Sequence, residues 1–190
     1  MKEHFQLARS WKEKHASVII HKNATSSVSH LDVYKGRCDA NYLSNFQMLK
    51  FKKGYIPDML PNNLGWPIFS SRCCARLVES GAGANILFHP LKKILPLSFP
   101  NALSEYCVLS AKTVIDCLDL DSDQVDWFDE SKEFVSSYTR LDLVSSKIPP
   151  EANFFGILRD SSIHVVSDDV KKELELDQPD GIAFRACFMI

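Results

Sequence analysis

Short runs of β-branched and aromatic residues, each closed off by turn formers, are the strongest constraint on this chain. They are Asn85–His89, Tyr106–Leu109, Val114–Leu118, Tyr138–Val144, Phe154–Leu158, Ile163–Val166 and Ile182–Phe188. Runs of this length and composition predict strands. Long amphipathic segments do not separate them regularly, so a doubly wound parallel sheet is disfavoured. The expected fold class is α+β, a mainly antiparallel sheet with a few short helices. Tyr138–Val144 alternates polar with apolar, which predicts one face in water. Arg159-Asp160-Ser161-Ser162, between two apolar runs, predicts a hairpin turn.

Helix signals are fewer. Ser70 or Ser71 can cap a helix running to about Ser80, with Cys73, Cys74, Leu77 and Val78 on one face and Gly81 as its stop. Ser167 followed by Asp168-Asp169 opens a second, with Val170 and Leu174 four apart and the acids at the positive end of the helix dipole. Lys2–Ala16 is a third candidate. At 190 residues one domain is the default, with two small lobes as the alternative, and the chain is long enough to bury a core without staples.

A net charge of −2 gives no bulk electrostatic reason to expect nucleic acid as a partner. It hides an asymmetry. Residues 1–60 carry a net +5, residues 61–115 a net +3 and residues 116–190 a net −10. The first residues do not form a secretory signal, and the longest uncharged stretch, Met59–Ser71, is broken by Pro61 and Pro67. That is too short for the roughly 18 apolar residues of a membrane span, so a cytoplasmic protein with no membrane partner is expected. The six cysteines include no Cys-x-x-Cys pair, and the adjacent Cys73-Cys74 would bridge only under strain; reduced thiols buried as small hydrophobes are expected.

Few motifs carry chemistry. Counted as a calcium loop, Asp119–Glu130 places carboxylates at positions one, three and five and a Glu at position twelve, but Gln124 stands where the sharp turn needs Gly. The six histidines are scattered, without His-Glu-x-x-His or His-x-His spacing. Gly81 and Gly83 follow a helix instead of opening one, the reverse of a phosphate loop. Lys50-Phe51-Lys52-Lys53 reads as a solvated edge. Neither a catalytic set nor a metal site nor a cofactor site is expected from these patterns.

The acidic segment Asp116–Glu133 holds eight acids and one base, Lys132, with Trp127-Phe128 embedded among them. Aromatic anchors ringed by carboxylates suit a basic protein partner, through steered association and a central hot spot. The expected interface is Asp119, Asp121, Asp123, Asp126, Trp127, Phe128, Asp129, Glu130 and Glu133, although Trp127 could equally plug the core.

The order of short motifs along the chain is also informative. Pro57-Asp58-Met59-Leu60-Pro61-Asn62 is followed by Phe69-Ser70-Ser71-Arg72, by Asn85-Ile86-Leu87-Phe88-His89-Pro90-Leu91 and by Tyr106-Cys107-Val108-Leu109. Then come Val114 to Ser122, Phe154-Phe155-Gly156-Ile157, Ile163 to Asp168 and Gly181-Ile182-Ala183-Phe184. In order and spacing these resemble a family of bacterial immunity proteins from polymorphic-toxin and contact-competition systems, immunity protein eleven, over about residues 30–190. The resemblance implies a cytoplasmic antitoxin that occludes a cognate toxin, encoded by the adjacent gene, stoichiometrically and without catalysis. It transfers no catalytic or toxin-contact residue; Asp116, Asp119 and Ser167 match as structural positions, a strand-ending turn and a helix cap. Residues 1–29 fall outside it and are expected to be an N-terminal extension to an immunity-protein-like domain spanning 30–190. Two alternatives stand beside it: a small hydrolase that reverses or removes a toxin product, and a calcium-tuned interaction module built on Asp119–Glu130.

Overall fold

The computed structural model describes residues 2–10, 12–33, 35–39, 41–96 and 99–190. Among these, fourteen strands and two α-helices follow one another: β1 (His4–Arg9), β2 (Ser17–Lys22), β3 (Phe46–Lys52), β4 (Ile68–Phe69), α1 (Ser71–Glu79), β5 (Ile86–Pro90), β6 (Cys107–Ala111), β7 (Val114–Ile115), β8 (Val125–Trp127), β9 (Val135–Tyr138), β10 (Asp142–Leu143), β11 (Phe154–Ile157), β12 (Asp160–Ser167), α2 (Asp168–Glu175), β13 (Ile182–Ala186) and β14 (Phe188–Met189). The fold is α+β and mainly antiparallel. The largest sheet has the order β13-β1-β12-β11-β7; a three-stranded sheet runs β4-β6-β5, and β2-β3, β8-β9 and β10-β14 form two-stranded ribbons. Among the described strands β7-β11 and β10-β14 pair with each other in parallel, the rest antiparallel.

At β11 and β12 the five-stranded sheet is buried on both faces, which explains why β11 is a continuous apolar run and Ile163–Val166 of β12 is interrupted only by the buried His164. Phe154 and Val166, opposite each other in register, face a cluster made with Leu7, Leu77 of α1, and Val170 and Leu174 of α2. Phe155 and Val165, the next pair, face Cys117, Leu118, Val125, Val135 and Leu143. A third cluster, around Tyr42, Phe46 and Trp66, fills the space between the β2-β3 ribbon and β4-β6. Ion pairs from Arg76 of α1 to Glu173 and Asp177 join the two helices.

The α1 helix forms where expected. The Ser70 hydroxyl accepts from the Cys73 amide at 3.4 Å and donates to the buried Asp58 carboxylate at 2.7 Å, and Gly81 ends the helix at φ +80°. Its buried face is narrower than expected: Cys73 and Leu77 are buried, but Val78 is 58% exposed. At the start of α2, Ser167 occupies the capping position, yet its buried hydroxyl makes no capping bond. The last main-chain register before α2 is held instead by Asp168 N–H donating to the Glu3 carbonyl.

The expected helix over Lys2–Ala16 is absent. Residues 4–9 are strand β1, lying between β12 and β13 inside the large sheet. Its polar residues disguised it, because His4 and Gln6 are themselves buried; Gln6 Nε2 donates to the Tyr138 hydroxyl at 2.6 Å. Thus the segment 1–29, expected as an extension, supplies β1 and β2 to the folded body; Met1 and Trp11 of that segment lie outside the described residues. Tyr138–Val144 is not one strand with a wet face. The chain breaks at Thr139-Arg140, and Leu141, Asp142 and Leu143 are all buried, with Asp142 taking both Arg140 Nε (2.6 Å) and Nη2 (3.0 Å). The hairpin turn is Leu158-Arg159, one residue earlier and tighter than expected, since Ile157 pairs with Asp160.

Candidate functional site

The acidic segment folds as a turn over residues 119–124 followed by the β8-β9 hairpin. The end of β8 falls between its two aromatics. Trp127 turns inward and packs against the cluster beneath the large sheet. Phe128, one residue on, faces out and is 73% exposed. So of the two expected aromatic anchors only Phe128 is fully exposed, Trp127 being half-buried.

Phe128 has company that the sequence did not announce. Its amide donates to the Phe134 carbonyl at 3.1 Å across the loop, placing two exposed phenyl rings on the same hairpin end. Leu158, at the tip of the β11-β12 turn, and Leu31 are also exposed. Phe128, Phe134, Leu158 and Leu31 line one depression of about 390 Å³ with Lys35 and Arg159. A second, of about 360 Å³, shares Phe134, Leu158, Lys35 and Arg159 and adds Arg37 and Glu133. Large apolar side chains gathered in this way, rimmed by charge, mark an interaction site more often than scattered ones do. Phe134 could have been found in the sequence: it immediately follows the last acid of the segment, as Phe128 sits inside it. Leu31 and Leu158 carried no such signal, since only the tertiary fold brings them there.

Arg159 positions the patch. Its guanidinium makes paired bonds to Asp116 at 2.7 and 2.9 Å, just beyond β7, and also donates to the Lys132 carbonyl. Its own carbonyl accepts from the Val135 amide. The Asp116 carboxyl is held below the usual carboxylate range by that guanidinium. Lys132, the one base of the segment, adopts a left-handed φ of +55° and donates to the Leu120 carbonyl, with Asp121 at 3.5 Å. One base thereby ties the 119–124 turn to the hairpin end.

The remaining acids take up separate posts. Asp121, Asp123, Asp126, Asp129, Glu130 and Glu133 are exposed, and Asp119 is half-buried. Asp119 accepts from the Asp121 amide, Asp123 from Gln124, Asp126 from the Ser137 hydroxyl and Asp129 from Ser131. Counted as a calcium loop, the segment has strand β8 running through positions seven to nine, where the loop should wrap around an ion. Among the described residues no group of three His, Cys, Asp or Glu side chains is placed to hold a metal ion.

Elsewhere, a pocket of about 500 Å³ lies beside His15, Ser17, Lys52 and Asn62. His15 is buried, with Nε2 3.1 Å from Asp180 and Nδ1 accepting from the Lys12 amide at 3.3 Å, so both ring nitrogens are engaged in structure. His4, His89 and His164 are also buried, and burial lowers the pKa of each. The six cysteines are all free thiols; Cys73 and Cys117 are buried as expected, but Cys38, Cys74, Cys107 and Cys187 are only half-buried. No described helix is long and apolar enough to cross a membrane. No protein-family model matches the chain, and no curated protein matches it.

Proposed function

We propose that this chain is an immunity protein of the kind it resembles, immunity protein eleven, and that it neutralises a cognate bacterial toxin by binding it one to one and covering its working surface. The observation that carries the reading is the exposed patch of Phe128, Phe134 and Leu158 beside the acids Asp129, Glu130 and Glu133. Burying one such side chain fully contributes roughly 1.5–3 kcal/mol, so three supply the central part of an interface. The flanking carboxylates accelerate the approach of a basic partner, and Lys35 and Arg37, which line the same depressions, offer contacts to acidic groups on it as well. The toxin is therefore expected to be basic at its contact face and to be encoded by the adjacent gene, with both proteins meeting in the cytoplasm. Occlusion asks for no catalytic group, cofactor or nucleic acid from this chain.

The test is capture with the tagged full chain from a lysate of its own organism, at low and high salt, alongside the Phe128→Ser/Phe134→Ser double variant. The expected result is one partner at near-equal stoichiometry, the product of the neighbouring gene, released by salt and missing from the variant. Failure of the purified neighbouring gene product to bind at micromolar concentration would overturn the reading. Protection of cells at far below one copy per toxin would replace occlusion by the hydrolase alternative.

A further inference from the structure

The β2-β3 ribbon has one buried face and one free one. Val18, Ile20, Phe46 and Met48 point into the cluster around Trp66. On the other side the register sets Ser17 opposite Lys52, Ile19 opposite Lys50 and His21 opposite Gln47, and a bulge adds Leu49. Both edges of the ribbon are engaged. Along β2 the Val18 amide donates to the Pro61 carbonyl at 2.9 Å, and the Asn63 side chain accepts from the Ile20 N–H at 2.7 Å and donates to its carbonyl at 3.0 Å. Along β3 the Met48 amide donates to the Ile94 carbonyl at 3.1 Å. The ribbon thus offers a partner its face and not an edge. That face is basic. Lys50 and Lys52 stand on it, Lys22 ends β2, and Lys14 and Lys53 lie at the opposite end, where the Tyr55 amide donates to the Lys14 carbonyl at 2.9 Å. All five lysines are exposed, and none forms an ion pair among the described residues. Glu13 is the one acid within residues 12–22 and 46–55. Ile19, Leu49 and Tyr55, on and beside the face, are 38%, 52% and 59% exposed. The cleft of about 500 Å³ described above opens along it, lined by Ser17, Ile19 and Lys52.

We propose that this face seats the protein on the surface of an anionic bilayer, the lysines meeting lipid phosphates while Ile19 and Leu49 enter the headgroup layer. Charge and side-chain chemistry choose lipid over nucleic acid. The cations are all lysines, compact point charges on flexible apolar stems, which suit a fluid layer of headgroups. Residues 12–22 and 46–55 contain no arginine, whose planar fork matches fixed phosphates and base edges. Two of the three exposed apolar side chains are aliphatic and one, Tyr55, is aromatic. A nucleic-acid strand stacks its bases on several rings, whereas aliphatic protrusions beside a tyrosine partition into a lipid interface. Charge and apolar contact together hold a protein at such a surface without a span, and no described helix is long and apolar enough to provide one. The ribbon rests on a different core cluster from the β8-β9 hairpin, so this inference stands apart from the toxin reading.

The experiment sediments the full chain with vesicles of phosphatidylcholine alone and of equal parts phosphatidylcholine and phosphatidylglycerol. Each is run at physiological salt and at ~1 M, where exposed charges are screened beyond ~3 Å. Wild type is expected to bind the mixed vesicles only, and to leave them at high salt. A lysine near an anionic surface raises affinity about five-fold, so Lys50→Gln/Lys52→Gln/Lys53→Gln should weaken binding roughly 100-fold. Ile19→Ser/Leu49→Ser should weaken it about ten-fold through lost apolar insertion. Both variants should unfold in urea at nearly the wild-type midpoint, because the replaced side chains are exposed. The same three proteins are titrated with a uridine homopolymer RNA as the competing polyanion. The proposal is overturned if wild type ignores the mixed vesicles, or if the triple variant binds them as well as wild type does. It is also overturned if RNA binds more tightly than the vesicles and is indifferent to the change at Ile19 and Leu49, which would give the face to nucleic acid.

Discussion

Acid should weaken this fold through His164 by an amount that can be worked out. His164 lies in β12, opposite Leu7 on one side and Gly156 on the other, with its ring 5.4 Å from Phe154 and only 3% exposed. Burial lowers its pKa from 6.5 to about 4, a backbone bond with Ser162 opposing the shift and Arg9 adding to it. The unfolded chain therefore takes a proton on this residue at a higher pH than the folded chain does. Above about pH 6.5 neither state is protonated and the contribution is complete; it is lost progressively as pH falls from 6.5 towards 4. Each pH unit in that window costs about 1.4 kcal/mol, or about 3 kcal/mol over the whole of it. Urea unfolding at pH 7, 6, 5 and 4 should be compared between wild type and His164→Gln, which keeps a polar side chain of similar reach but does not titrate. The other acid-sensitive groups cancel in the difference. The stability gap between the two proteins should shift in favour of the variant by about 2 kcal/mol between pH 6.5 and pH 5. Parallel profiles would refute the reasoning, and would mean that the imidazole is charged, or solvated, in the folded state.

Other perturbations follow from the same geometry. Phe128→Ala and Phe134→Ala should leave stability within about 0.5 kcal/mol, because both rings are exposed, yet each should weaken toxin binding 10- to 100-fold by calorimetric titration. Gly181→Ala should destabilise the chain by about 2–3 kcal/mol in urea, since its φ is +85° and an added Cβ would lie 2.8 Å from the Met59 carbonyl oxygen. Trp66→Ala should cost about 3–5 kcal/mol in the same assay, because the indole is fully buried and donates to the His30 carbonyl at 2.9 Å. Arg159→Ala should leave the global unfolding midpoint nearly in place while amides of residues 128–135 exchange faster with deuterium, the guanidinium being what fastens that loop to Asp116 and the Lys132 carbonyl.

What could be read from the sequence was whatever local pattern and burial agree on. The runs at Phe154–Ile157 and Ile163–Val166 are strands whose sheet is covered on both faces there, and the apolar runs, broken only by His164, say as much. Ser70 and Gly81 bracket α1 because capping is a local affair. Strand β1 was illegible for the opposite reason. His4 and Gln6 look like surface residues, and only their distant partners, among them Tyr138, make them interior ones. The candidate surface divides in the same way. Phe128 and the acids around it lie together in the chain, whereas Leu31, Lys35 and Leu158 join them across long sequence separations. Trp127 and Phe128 were indistinguishable as letters; Trp127 ends β8 on the side of the buried Val125, and Phe128, just past the strand, is exposed.

The place of β1 in the large sheet has a bearing on biosynthesis. This strand is made long before the two that flank it, since β12 and β13 belong to residues 160–186. During translation it must wait unpaired until residues 160–186 have left the ribosome. The large sheet therefore closes late, by joining segments far apart along the chain. Such long-range closure is slow, and stalled or truncated chains would display a strand with two open edges, a natural target for chaperones and proteases.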